Sequence, residues 1–594
     1  MSFRRAGRLA AMVLPGLLCL ACGQVYRPVV IPCSSGAVPG CPLEPAPTPA
    51  SFHAVFGISA NVPNYPGGAM QIDVSGDSIV AETPINGPDA PNGSGRNPTH
   101  AAVLPNNSRL FVASASSVQG GIDVVSSFSP APQSTVAIGF GPVTAIPLPN
   151  QTSSIAAISE TGNLVTATLS APLNNVPVGH AIVIADVAIP GCTPPMCNPN
   201  AYDGGFVLAS INGTTIQYTD PAPGLPALTA VEVSGSTATF PPQPVFLSSQ
   251  QNNAMYVANY NSNSVSAINT ASNVVSNNAA VGENPVSLAE TPNGLKLYVA
   301  NQGDNSVSSL NTTTLSSNIV TGFSGIAPVW VVARGDSQKV YVLTQGDGQL
   351  VTIDTATDTV TGSLPVGAGA NFIFFDPHLN RLYVTNPVTS MVNVFSDTGG
   401  ANDTPIQLAA ISFASGSTQC PEGCSPTSVT ALPDGSRFYV ASYQITSSAS
   451  PCPDPTVTAS PCVIPSLTVF DANSLTLQYP SAPTLTLLTW PPFATNQYAV
   501  PPVSTCAPAA SYSPSTTRFR VFTVAAVDGS HVYVSMCDAG AIADINTTDS
   551  NTNNSGGSGI PADTLITDLP AAYAGSSQTT GALVQNPVFL LTGQ

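Results

Sequence analysis

A four-residue phrase returns along this chain at a nearly fixed interval, and that period constrains the fold more than any other feature. Tyr256-Val257-Ala258-Asn259 comes back as Tyr298-Val299-Ala300-Asn301 and as Tyr383-Val384-Thr385-Asn386. Weaker copies are Tyr341-Val342-Leu343-Thr344, Tyr439-Val440-Ala441-Ser442, Tyr533-Val534-Ser535 and Phe111-Val112-Ala113-Ser114. Successive tyrosines lie 42, 43 and 42 residues apart, then 56 and 94 where loops intrude. The flanks repeat too. A hydrophobic strand and a turn precede the phrase, as in Pro285-Val286-Ser287-Leu288 and Thr291-Pro292-Asn293-Gly294. An alternating strand follows it, as in Ser264-Val265-Ser266-Ala267-Ile268 or Val351-Thr352-Ile353-Asp354, and then a fourth, as in Thr359 to Leu364. Four short strands in about 42 residues, joined by Asn, Gly, Pro and Asp turns, make one propeller blade. One such sheet cannot bury both faces alone, so blades must stack around an axis. That also accommodates 594 residues, since a single core rarely serves more than about 250–300.

On these motifs the chain resembles the YVTN-type β-propeller repeat of surface-layer and quinoprotein-like proteins, which Tyr383-Val384-Thr385-Asn386 spells in full. The resemblance is strongest over 254–395 and extends more loosely over 51–150 and 425–594. It implies a ring, usually of seven blades, in which the tyrosine strand lies within the blade and the preceding strand lines a channel. Counting repeats in this sequence gives eight. The chain finishes on Asn586-Pro587-Val588-Phe589-Leu590-Leu591, a first strand with no continuation, and begins with later strands, His53 to Ile58 and Ala69 to Val74, that have no first. The two ends are therefore expected to share one blade and remove both sheet edges. The stretch around Gly141-Pro142 also reads as a blade start, which leaves seven and eight open. The fold class is thus all-β: a propeller of four-stranded blades at 51–154 and 241–594, interrupted by a small β-barrel-like module at 155–240. The module's strands are expected at Leu164 to Leu169, Val178 to Ile184, Tyr202 to Val207 and Thr214 to Thr219.

The N-terminus reads as an address. Arg4, Arg5 and Arg8 precede an apolar run from Leu9 to Ala21, a length that suits a signal segment and falls short of a membrane span. It ends in Cys19-Leu20-Ala21-Cys22-Gly23, which resembles a bacterial lipobox. Residues 1–22 are read as a lipoprotein signal peptide, with Cys22 the lipidated residue that ties the chain to a membrane. Gly23, where Asp would favour inner-membrane retention, implies the outer membrane or cell surface. Residues 23–50 carry seven prolines and read as a semi-rigid tether.

Setting Cys19 and Cys22 aside, the cysteines fall as close neighbours: Cys33 with Cys41, Cys192 with Cys197, Cys420 with Cys424, Cys452 with Cys462, and Cys506 with Cys537. In an exported protein these read as local disulfides. None of the five histidines stands at ligand spacing to a pair, and a structural zinc site wants four such ligands, so no metal is assigned.

Only 7% of the residues are charged, and the net charge is −18. The one tight basic spot after the address segment is Arg518 with Arg520. Phosphate backbones need clustered Lys and Arg, so nucleic acid is excluded as a partner. No Walker-type loop, HExxH, EF-hand or nucleophile elbow occurs, and neither catalytic residues nor a cofactor is assigned. His100 precedes Ala101-Ala102-Val103-Leu104, a channel-lining strand, and Glu283, Trp330, Asn371, Arg518 and Arg520 are placed similarly in other repeats. A base, a carboxylate and a cation around one concave mouth could bind a polar ligand or assist hydrolysis. His378 and His531 are expected at surface turns, Trp330 and Trp490 in packing, and Arg334-Gly335-Asp336 as a turn rather than an adhesion signal. The leading expectation is an extracytoplasmic binding or scaffold protein for protein or glycan partners. A lactonase-like or quinoprotein-like enzyme and a surface-layer component are the alternatives, the enzyme resting on fold analogy alone.

Overall fold

The computed structural model describes residues 54–60, 67–74, 77–85, 97–105, 108–115, 121–126, 143–148, 151–173, 176, 178, 181–192, 198–220, 224–240, 243–248, 254–397, 404–446, 452, 461–487, 500, 502–508, 517–548, 562–570 and 586–593. The expected signal peptide, Cys22, the tether, Cys33, Cys41, Cys197 and Trp490 lie outside them.

Eight four-stranded antiparallel sheets form a closed ring. Blade 1 is built from both ends of the chain: Asn586–Thr592 is its innermost strand, followed outward by Ala54–Ala60, Gly68–Asp73 and Ser78–Pro84. Blade 2 spans 97–147, blade 3 244–280, blade 4 285–319, blade 5 328–365, blade 6 372–412, blade 7 425–486 and blade 8 521–570. Gly141-Pro142 lies outside the described residues, and Val143–Pro147 after it is the outer strand of blade 2 rather than the start of a further blade. The repeated Tyr-Val phrase is the second strand of its blade, between the innermost strand and the alternating one. Both faces of that strand meet a neighbouring blade, so its centre is apolar, and the six tyrosines at 256, 298, 341, 383, 439 and 533 are all buried.

Between blades 2 and 3 the chain leaves the ring to form a closed six-stranded barrel over Gln151–Thr161, Leu164–Leu169, Ala181–Ala185, Gly204–Asn212, Thr215–Thr219 and Thr237–Phe240. It has its own core, with Val165, Ile182, Ile216, Tyr202, Tyr218 and Phe240 buried. Cys420–Cys424, Cys452–Cys462 and Cys506–Cys537 are disulfide-bonded.

A second repeat accompanies the tyrosine phrase. In six innermost strands a proline stands two residues before the position opposite Tyr+2: Pro98 before His100, Pro244 before Phe246, Pro285 before Ser287, Pro328 before Trp330, Pro426 before Ser428 and Pro587 before Phe589. The ladder skips a residue in each. Proline has no N–H to give, so the strand bulges there and the side chain two residues on turns toward the axis.

Candidate functional site

Six bulged innermost strands and the two unbulged ones of blades 6 and 8 bring eight side chains to one level around the axis: Phe589, His100, Phe246, Ser287, Trp330, Phe372, Ser428 and Phe522, in blade order. Six of them close a ring of rings. Centroid distances run 3.8 Å from His100 to Phe246, 5.2 Å to Trp330, 5.0 Å to Phe372, 5.4 Å to Phe522, 4.8 Å to Phe589 and 4.4 Å back to His100. The mixture of stacked, tilted and edge contacts is what aromatic quadrupoles favour.

The three polar members of this layer do one job. Each accepts a hydrogen bond from the next blade's innermost strand: His100 Nδ1 from Leu247 N–H at 3.2 Å, Ser287 Oγ from Val331 N–H at 3.2 Å, and Ser428 Oγ from Thr523 N–H at 3.0 Å. Burial, aided by the Arg518 charge, holds the His100 imidazole well below its usual 6.5 and therefore neutral.

Two residues preceding blade 8 lie across the axis. The Arg518 guanidinium sits over Trp330 at 5.1 Å and Phe246 at 5.8 Å, and donates to Val286 O of blade 4, on the far side of the ring, at 2.9 Å. Phe519 packs on Phe522, Phe372 and Trp330 at 4.7, 5.6 and 5.7 Å. The segment is tied down by the Cys506–Cys537 disulfide and by a hydrogen bond from the Thr517 hydroxyl to Thr505 O.

Of the six residues expected around one mouth, the structure thus brings together His100, Trp330 and Arg518. The others sit at different offsets. Arg520 occupies the proline position of blade 8; it pairs with Asp538 at 2.8 Å and covers Tyr443 at 5.3 Å. Asn371, one residue before the axial layer, accepts from Thr385 Oγ at 2.9 Å and donates to Thr427 O of blade 7 at 3.3 Å. Glu283 is exposed in the loop entering blade 4. His378 is exposed, whereas His531 is not the surface group expected. Arg334 is likewise buried, with ion pairs to Asp336 and Asp397 at 2.8 and 2.9 Å, so the Arg-Gly-Asp turn is a structural tie.

His531 belongs to a device that sequence reading missed. Where the residue two before the phrase's aromatic is basic, it reaches, often together with the tyrosine hydroxyl, into the turn between the third and outer strands of the next blade. Lys296 pairs with Asp358 at 2.8 Å, and Tyr298 donates to the same carboxylate. Tyr341, Lys339 and Arg334 converge on Asp397. Tyr439 and Arg437 converge on Asp563. Arg109 donates to Asn273 at 2.6 Å and Arg381 to Ala472 O. At the seam between blades 8 and 1 the pair is His531 and Tyr533, and the turn supplies Asp77, 3.3 Å from His531 Nε2. A second carboxylate, Asp544, lies there too, fully buried and pushed up to about 8 by burial first and by Asp77 next. Asp77, His531 and Asp544 form a group whose ligand atoms all lie within 4.8 Å of one another. The signal that could have found the clasp was in the sequence: a basic residue or His two before the aromatic, at positions 109, 296, 339, 381, 437 and 531.

The fold defines an eight-bladed propeller carrying a barrel. No protein-family model matches the chain, and no curated protein matches it. Among solved structures the chain is similar to Kuenenia stuttgartiensis hydrazine synthase, with 14% identity over 55% of this chain and 87% of that one, at a TM-score of 0.38. It is also similar to a candidate 6-phosphogluconolactonase from Bacteroides uniformis, with 9% identity over 67% and 93% of the two chains, at a TM-score of 0.36.

Proposed function

We propose that this chain is an exported, lipid-anchored β-propeller that binds or scaffolds a protein or glycan partner on its outer surfaces. The observation that carries the reading is the filled axis. The groups that could have formed a polar ligand site are committed elsewhere: His100 is stacked and bonded to Leu247, and Arg518 lies over two rings and is bonded across the ring. A site for small-molecule chemistry needs a concavity with convergent polar groups, and aromatic side chains occupy that position. The disulfides, the acidic balance and the lipobox-like Cys22 support a place outside the cytoplasm. The likeness of the repeat to the YVTN type supports the same setting.

The test has two readouts. The protein is expected to fractionate with membranes, and Cys22→Ala to release it. The purified protein should bind an envelope-glycan or protein array saturably and turn over no lactone or ester. Turnover that disappears in His100→Asn would reverse the reading in favour of an enzyme.

A further inference from the structure

The seam between blades 8 and 1 departs from the other clasps in composition. At three other seams a permanent cation, Lys or Arg, meets a single carboxylate in the turn, and at two more an Arg meets Asn273 or the Ala472 carbonyl. Here the cation is replaced by His531, and a second carboxylate is added. Asp544 lies opposite Tyr533; the residues opposite the equivalent aromatic in blades 1 to 7 are Gln71, Val124, Ala267, Ser309, Thr352, Val394 and Val469, none of them charged. Asp544 is fully buried, and neither of its oxygens, nor the Tyr533 hydroxyl beside it, has a hydrogen bond of good geometry. A buried carboxylate left so is costly.

The proton inventory of His531 sharpens this. Its Nδ1 lies 2.8 Å from Ser530 Oγ, and the Ser530 hydroxyl donates to Asp528 at 2.7 Å. With that hydroxyl proton committed, Nδ1 must be the protonated nitrogen and Ser530 its acceptor. Nε2 then faces Asp77 Oδ1 at 3.3 Å, the contact of an imidazolium donating to the carboxylate or of a neutral ring sharing a cation with it. Something positive must stand between them.

We infer that Asp77, His531 and Asp544 bind a divalent cation of the Zn²⁺ or Mn²⁺ class, which fastens the seam where the two chain ends close the ring. One imidazole nitrogen and two carboxylates suit that class. Ligand atoms bonded at about 2.0 Å around a tetrahedral ion are about 3.3 Å apart, the separation already present between His531 and Asp77. Ser530 holds the ring from its other nitrogen, as outer partners of metal-bound histidines do. The Tyr533 hydroxyl is placed to contact the same group. A divalent ion also balances the two carboxylates, as Lys296 and Arg437 balance one each elsewhere.

The experiment strips the full chain with chelator and titrates it with Zn²⁺ and, separately, Mn²⁺, reading bound metal after desalting and Tm. The expected result is uptake of about one ion per chain with a higher Tm, and loss of both effects in Asp544→Ser, which installs a residue type used in blade 4. His531→Lys, which restores the ordinary clasp, is expected to fold, to bind no metal and to hold a Tm that metal does not change. No uptake by the parent would leave a proton as the bridge and overturn the proposal. Uptake that persists in His531→Lys or in Asp544→Ser would overturn it equally.

Discussion

At the residue scale, the axial layer shows how one position can be filled by rings or by acceptors without breaking the seam. Ser287, Ser428 and His100 are the three members that present an acceptor, and each takes an N–H from the innermost strand of the next blade. His100 does both jobs, stacking and accepting. This has a measurable consequence. Its pKa is lowered in the folded state, chiefly by burial, so the unfolded chain takes up a proton that the folded chain refuses. The stability it supports is present above the ordinary value near 6.5 and is lost as pH falls below it, by up to about 1.4 kcal/mol per pH unit. Denaturant titrations from pH 7 to 5 are expected to show a steeper loss in the parent than in His100→Asn, whose amide oxygen can still accept from Leu247. Equal slopes would mean that His100 is protonated in place. In the sequence His100 stood out only as a histidine before a strand; its neutrality depends on Phe246 and Phe589 of two other blades and on Arg518 of the segment before blade 8.

At the scale of elements, the Tyr strand, the Pro-x bulge and the barrel were legible to different degrees. The tyrosine phrase located second strands directly, because a strand covered on both faces must be apolar at its centre. The bulge was written as plainly, in Pro-Val or Pro-Thr pairs, but its effect is felt only when the six bulged strands and their two plain neighbours face one axis. The barrel's alternating strands were readable from Leu164 onward; the first four residues of Gln151–Thr161 were counted with the blade before it because that polar start resembles a connecting loop. Its buried residues come from its own strands and the loops between them, so it meets the condition for an independent cooperative unit. Calorimetry of the whole chain should therefore resolve two transitions. Replacing residues 151–240 with a short Gly/Ser linker should remove one and leave the propeller's transition in place. A propeller transition lowered by several degrees in the deletion variant would instead make the barrel part of the propeller's stability.

At the scale of the whole molecule, the ring closes because the last strand of the chain becomes the first strand of blade 1. Asn586–Thr592 pairs with Ala54–Ala60 and contributes Phe589 to the axial layer. Ending the chain at residue 585 would expose the edge of Ala54–Ala60 and open the aromatic ring between His100 and Phe522. Losing the buried Phe589 side chain alone is worth about 3–5 kcal/mol, and an unpaired apolar edge invites strand addition. Light scattering should show concentration-dependent association and thermal melting a lower Tm; a monodisperse product with the parent's Tm would mean that closure does not hold the ring.

The sequence by itself determined the repeat, the all-β class, the sharing of one blade by the two ends and the pairs Cys420–Cys424, Cys452–Cys462 and Cys506–Cys537, because each is carried by neighbours in the chain or by a period whose missing strand the other end supplies. Only the tertiary structure decided that there are eight blades, that the axis is filled, and that Asp77 meets His531 and Asp544. Those facts depend on residues from opposite ends of the chain arriving at one point. Blade stacking sets that meeting point, through a choice of one residue per blade that no local pattern records.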